Sequence, residues 1–265
     1  MSPPIKTTAK ASGVGTADSS AAARILHLTN PLLEGDDVKL AQKLLSKNPY
    51  GSFNPGKIDG EYGPGTAAAT KQAKWALGFA DANCNTAFGA KLLSFLQGSP
   101  LPPDFETRRE DRQQTVAQHS SIREKIVANA RWGIENEPQI HYEQARPIDG
   151  HKQPSKLPLR TDCSGFVTLC YEWAGASDPN GLAFSGLGFT GTLLTGCRQI
   201  PKSAVQAGDL VVWGASPGHH VALVLEPGDD PLLVSHGQEK GPVAIRFSVE
   251  TKYQPAPVTW LSCFV

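Results

Sequence analysis

Hydrophobic positions recur at helical spacing in five stretches of the chain and at strand spacing in three. In GDDVKLAQKLLSKNPYGSF, Val38, Ala41, Leu44 and Leu45 fall on one face, and Asp36 or Asp37 is placed to cap the helix start. NPGKIDGEYGPGT follows, so rich in glycine and proline that it reads as turns. A second helix, AAATKQAKWALGF, is expected with Thr66 as cap and an end near Gly78, and KLLSFLQ from Lys91 reads as a third. SSIREKIVANARWGIEN is a fourth, with Ile122, Ile126 and Ala130 on its apolar face. A long irregular stretch, HYEQARPIDGHKQPSKLPLR, leads into a short helix whose apolar set is Phe166, Val167, Leu169, Cys170 and Trp173. The strand-like runs are LVVW, HVALVLE and PLLVSH, separated by Gly/Pro/Asp turns.

These patterns divide the 265 residues into a flexible tail (1–23), a small helical domain (24–98), a linker (99–114) and an α+β domain (115–265). The tail is expected because MSPPIKTTAKASGVGTADSSAAAR is rich in Ala, Ser, Thr and Gly; it has no apolar core of the secretory-signal kind. The linker expectation rests on SPLPPDFETRREDRQQ, whose prolines favour extended backbone and whose charges favour solvent. Apolar residues make up 40% of the chain, enough for packed cores. Acidic and basic side chains balance at 25 each, which argues against a nucleic-acid partner. No apolar run approaches the length of about 18 residues that membrane insertion requires. A monomer is expected.

The five cysteines, at 84, 163, 170, 197 and 263, contain no CxxC pair, and they read as mostly reduced thiols. Cys163 and Cys170 share one helix but differ in placement. With Thr161 or Asp162 as N-cap, Cys163 falls in the first turn, where free backbone N–H groups and the helix dipole favour a thiolate. That position is expected to be exposed, with Ser164 and Gly165 small enough to let a substrate approach. Cys170 falls in the apolar set and is expected to pack. A cysteine nucleophile needs a base, and the HVALVLE and PLLVSH strands offer two histidines. A hairpin pairing Leu225 with Pro231 sets His220 opposite His236, with Cβ atoms about 5 Å apart. His220 is then the base and His236 the group that orients it, while His219 points to the other face. Zinc is the competing use of one Cys and two His, but no HExxH or suitably spaced carboxylate accompanies them; neither metal nor cofactor is expected.

DCSGFV, then GDLVVW, then HVALVLE and VSHG, preceded by IREKIVANARWG, resembles the NlpC/P60 family of papain-like cysteine peptidases across nearly all of the last 150 residues. The resemblance implies an α+β fold with helices packed on an antiparallel sheet. It implies Cys163 as nucleophile, His220 as base, His236 as third polar residue and Tyr142 as a helper of the oxyanion site, and it puts Asp162 and Ser164 beside the substrate. The implied reaction is cleavage of a peptide bond in bacterial cell-wall stem peptides, commonly from D-glutamate to a diamino acid. GDDVKLAQKLL, IDGEYGPGT and LLSFLQ resemble a small three-helix peptidoglycan-binding domain over about 65 residues, with Asp59 and Tyr62 as its candidate ligand contacts. Together they suggest a wall hydrolase of the phage endolysin type, made in the host cytoplasm and released through a holin or carried on a phage particle, with peptidoglycan as its partner. A CHAP-like amidase, an inactive wall-binding structural protein and a thioester-forming acyltransferase are the alternatives.

Overall fold

The computed structural model of the protein describes residues 24–151, 157–237 and 241–264. The tail expected over 1–23 lies outside them. The chain forms two compact units, up to Gln113 and from Gln114 onward.

The first unit contains α1 (Asp36–Ser46), α2 (Pro64–Ala76), α3 (Ala90–Leu96) and the start of α4 (Pro103–Glu135). Val38, Ala41, Leu45, Leu77, Leu92 and Phe95 build its core. Two caps differ from expectation. Gly35 precedes α1 without a side-chain cap, and Asp37 instead pairs with Arg24 at 2.6 Å. Helix α2 begins at Pro64, whose fixed φ suits a first turn, so Thr66 lies inside the helix and is buried.

The expected linker is also different. Residues from Pro103 onward are helical because Pro103 occupies the first helical position, where its missing N–H costs nothing. The charges are solvated along the helix, with an Arg108–Asp104 pair one turn apart. Phe105 packs edge-on against Phe79 and Phe95, so part of the stretch belongs to the first unit's core.

In the second unit, the later part of α4 buries Ile126 and Ala130 as its periodicity requires. A parallel pair follows, β1 (Ile140–Tyr142) with β2 (Leu159–Thr161), and then α5 (Cys163–Trp173) and α6 (Thr190–Gly196). The remaining elements are β3 (Arg198–Ile200), β4 (Leu210–Trp213), β5 (His220–Glu226), β6 (Leu232–Ser235), β7 (Val243–Arg246), α7 (Phe247–Glu250) and β8 (Val258–Ser262). The strands form one antiparallel sheet in the order β3-β8-β4-β5-β6-β7. The fold is therefore α+β, with α5 packed on the sheet. Val221, Leu223 and Leu225 of β5 join the core shared with α5, whereas Ala222 and Val224 join Val211, Trp213 and Trp260 on the opposite face. Phe166 of α5 approaches α4 at Gly133, where its ring occupies the space a Cβ would take. Among the described residues, no helix is long and apolar enough to cross a membrane.

The cysteines correct one expectation. Cys197 and Cys263 form a disulfide. They flank β3 and β8, whose antiparallel register pairs Arg198 with Ser262 and so sets the two cysteines across from each other. They are 66 residues apart in sequence, so the relation depends on the sheet rather than on any local motif.

Candidate active site

Asp162 is the N-cap of α5. Its Oδ1 accepts a hydrogen bond from the Gly165 backbone N–H at 2.7 Å and another from the Ser164 hydroxyl at 3.0 Å. Arg146 donates to Asp162 Oδ2 at 2.9 Å, to Ser164 Oγ at 2.9 Å and to the Gly188 carbonyl at 2.7 Å. The cap is thereby joined to the Gly-rich stretch at Gly188. Asp162 and Ser164, expected beside the substrate, are both buried and engaged in fixing the helix start. Their short side chains reach backbone and cap groups before they can reach a ligand.

Cys163 opens α5 but is only 6% exposed, which corrects the expectation of an exposed thiol. It belongs to the core between α5 and the sheet. Cys170, two turns on, is fully buried, and burial pushes its thiol far above the usual range.

His220 is the first residue of β5 and is 6% exposed. Its electrostatic interaction with the Cys163 side chain favours the charged ring. On the other side, Nε2 lies 2.9 Å from Ser235 Oγ and 3.3 Å from Glu250 Oε1. The indole of Trp213 stacks on the imidazole at 5.6 Å between centroids. Burial works against the charged ring, but the bonds with Cys163 and Glu250 outweigh it and raise the His220 pKa to about 9. Glu250 is held below the usual carboxylate range, chiefly by its bond with His220. His219 is exposed, as expected for the other face.

The strand register differs from the expected one, and the difference changes His220's neighbour. The β5–β6 ladder pairs Ala222 with Ser235 and Leu223 with Val234, and a bulge near Leu225 shifts it by one residue toward the turn. His220 is therefore not opposite His236. Ser235 shares the face of Ala222 and His220, and His236 falls on the other side of the strand. There His236 Nε2 donates to the Thr161 carbonyl at 2.9 Å, with its ring edge-on to Tyr142 and Phe166. Tyr142 reaches this place despite the long intervening loop because β1 runs parallel to β2, pairing Tyr142 with Thr161. Its hydroxyl accepts from Gln144 at 3.0 Å.

Ser235 and Glu250 were not among the residues the sequence singled out. Ser235 directly precedes His236 in sequence. Glu250 lies on a four-residue helix with no chemical motif around it, so its approach to His220 depends on tertiary structure alone. Among the described residues, no group of three or more His, Cys, Asp or Glu side chains is arranged to hold a metal ion.

The ligand contacts expected in the first unit are also accounted for by folding. Tyr62 is fully buried, its hydroxyl bonded to Thr70 Oγ1 at 2.8 Å and to the Thr86 carbonyl at 2.6 Å. Asp59 Oδ1 accepts from Gln42 Nε2 at 2.9 Å and from the Glu61 N–H at 3.0 Å, closing the turn it sits in. The IDGEYGPGT motif is thus a turn organised around a buried glutamine.

No protein-family model matches the chain, and no match is found among curated proteins. Among solved structures, the chain is similar to a Staphylococcus aureus protein described as similar to a lipoprotein of the NLP/P60 family, at 19% identity and TM-score 0.35, over 52% of this chain and 40% of that one. It is similar to the peptidoglycan hydrolase RipB from Mycobacterium tuberculosis at 19% identity and TM-score 0.36, over 77% and 87%. It is also similar to the NlpC/p60 domain of the peptidoglycan hydrolase SagA at 21% identity and TM-score 0.35, over 53% of this chain and 97% of that one.

Proposed function

We propose that residues 114–265 form a thiol hydrolase of the NlpC/P60 type. It cleaves a peptide bond in bacterial cell-wall stem peptides, the bond from D-glutamate to a diamino acid. The observation that carries this reading is a nearly buried cysteine in the first turn of a helix whose side chain interacts electrostatically with the buried imidazole of His220, at the start of the neighbouring sheet's β5. The DCSGFV, GDLVVW and HVALVLE motifs supply the family context.

In the proposed reaction His220 already holds the proton drawn from the thiol, and the sulfur attacks the amide carbonyl as a thiolate. The tetrahedral oxyanion meets the Cys163 backbone N–H, one of the first-turn donors that have no acceptor within the helix. Tyr142, beside Thr161, is close enough to the helix start to assist. As the C–N bond breaks, His220 returns the proton to the leaving amine, and a thioester remains. Water then gives up a proton to His220 and attacks the thioester, releasing the acid and the free thiol.

Residues 24–113 are proposed to hold the enzyme on the polymer, which raises the local concentration of scissile bonds. The setting proposed is a phage-type lysin acting at the wall; the Cys197–Cys263 disulfide fits work outside a reducing cytosol.

Digestion of purified walls followed by mass spectrometry tests this reading. The expected new amino terminus is that of the diamino acid. Release at L-alanine would instead identify an amidase, and undiminished lysis by Cys163→Ala would end the thiol mechanism.

A further inference from the structure

We propose that Glu250, acting with Ser235, is the positioning residue that holds the His220 ring toward Cys163, in the role the sequence pattern gives to His236. This rests on the reading of Cys163 and His220 as the reacting pair.

The hydrogen bonds around Nε2 define the proton arrangement. Ser235 has one hydroxyl proton, and it is donated to Glu250 Oε1 at 3.3 Å. The serine oxygen is then an acceptor at 2.9 Å from His220 Nε2, so Nε2 carries a proton. Glu250 Oε1 lies 3.3 Å from the same nitrogen and receives the charge of that proton directly. With Nε2 protonated, the Nδ1 edge is the one that exchanges a proton with sulfur. A carboxylate behind the ring stabilises the imidazolium that forms when the thiol proton arrives.

The carboxylate is itself held. Glu250 is 3% exposed, and Gln254 Nε2 donates to its Oε1 at 2.8 Å. Thr251, the next residue, accepts from the Trp213 indole at 3.1 Å, and that indole stacks on His220. Helix α7 thus grips the imidazole through its edge and its face. The groups facing the ring are Cys163 from α5, Ser235 from β6, Glu250 from α7 and Trp213 from β4; of these only Cys163 and Glu250 can carry charge. His236 is on the far side of β6, where it holds the Thr161 carbonyl just before the α5 cap. It therefore shapes the helix start rather than the imidazole.

The test is an NMR titration of the His220 ring in the full-length chain, without substrate. Glu250→Gln keeps the shape and removes the charge; it is expected to lower the pH at which His220 loses its proton by about one pH unit or more. Ser235→Ala, a small change that a core tolerates, is expected to move it the same way by less. His236→Gln is expected to leave it in place. With wall substrate, Glu250→Gln should reduce kcat by about tenfold or more with little change in KM, and its alkaline limb should move down with the ring titration. The proposal is overturned if Glu250→Gln and Ser235→Ala leave the His220 titration where it was, or if His236→Gln moves it further than either. Because the titration needs no substrate, a wild-type protein that fails to cut walls refutes the hydrolase reading without deciding this one.

Discussion

Gln42 in the first unit and His220 in the second are both buried polar side chains with every reachable neighbour engaged, yet they do different things. Gln42 is 1% exposed; its Nε2 donates to Asp59, to the Glu61 carbonyl and to Thr66, and its Oε1 accepts from the Gly60 N–H. The amide does not titrate, so the network has one state and its effect is to fix the IDGEYGPGT turn. His220 is surrounded just as closely, but by a thiol and a carboxylate that can exchange charge with it. That network has two protonation states separated by a single proton. Satisfied hydrogen bonding alone therefore does not distinguish a structural site from a reactive one; the ability of its members to change charge does.

The largest effect that separates the two networks is on activity. Cys163→Ala is expected to lower hydrolysis of a soluble stem-peptide fragment by at least about a thousandfold, since no other nucleophile replaces the sulfur. Gln42→Ala is expected to leave the same rate unchanged while weakening the first unit. Initial rates on one fragment read both, and a comparable loss in both variants would erase the distinction.

Next in size is the disulfide. Closing a loop of 66 residues restricts the unfolded chain by about 4 kcal/mol. Cys197→Ser should lower the denaturation midpoint of the second unit accordingly and leave the transition of the first unit where it was. A reductant should reproduce the shift in the wild type and add nothing in the variant.

The behaviour of His220 with pH sharpens the contrast further. Its folded pKa, about 9, lies above the value of about 6.5 expected when unfolded. A raised pKa stabilises the folded state below the unfolded value and loses that contribution as pH rises through the folded value. Stability of the second unit should therefore fall by roughly 3 kcal/mol between about pH 6.5 and 9. The first unit, whose buried network does not ionise there, should show no matching slope. Denaturation at several pH values checks this, and His220→Gln should flatten the curve.

Sequence reading succeeded where structure is local and failed where it depends on the partner strand. The helices around Val38, Ile126 and Phe166 and the strands at 210–213 and 220–226 follow from apolar spacing, and Asp162 caps α5 as its side chain predicts. Cys163 and His220 were visible as candidates too, because a cysteine at a helix start and a histidine at a strand start are each local features. The groups behind the His220 ring were not. The expected hairpin placed His236 behind His220, but a bulge near Leu225 shifts the register by one residue, and a shift of one exchanges Ser235 for His236. Glu250 comes from a helix beyond the next strand, and Cys263 lies just past the last strand, so neither has a local signature. The prolines of 99–103 misled in another way: proline breaks a helix from within but starts one readily, and Pro103 starts α4.

The smallest effect bears on Tyr62, where the first unit's motif was expected to touch the wall. Tyr62→Phe removes a hydroxyl that donates to the Thr86 carbonyl and pairs with Thr70 inside a closed core. Losing that buried bond should cost about 1 kcal/mol, because Thr70 can redirect its own proton while the Thr86 carbonyl loses its donor. Binding to wall fragments at a temperature where the variant is folded should be unchanged, since a side chain with no exposed surface offers a glycopeptide nothing to hold. A co-sedimentation assay run beside a thermal melt separates the two readings. If binding falls tenfold while the midpoint stays fixed, the tyrosine reaches ligand after all, and the first unit's polar core would do more than the Gln42 network's single task of fixing a turn.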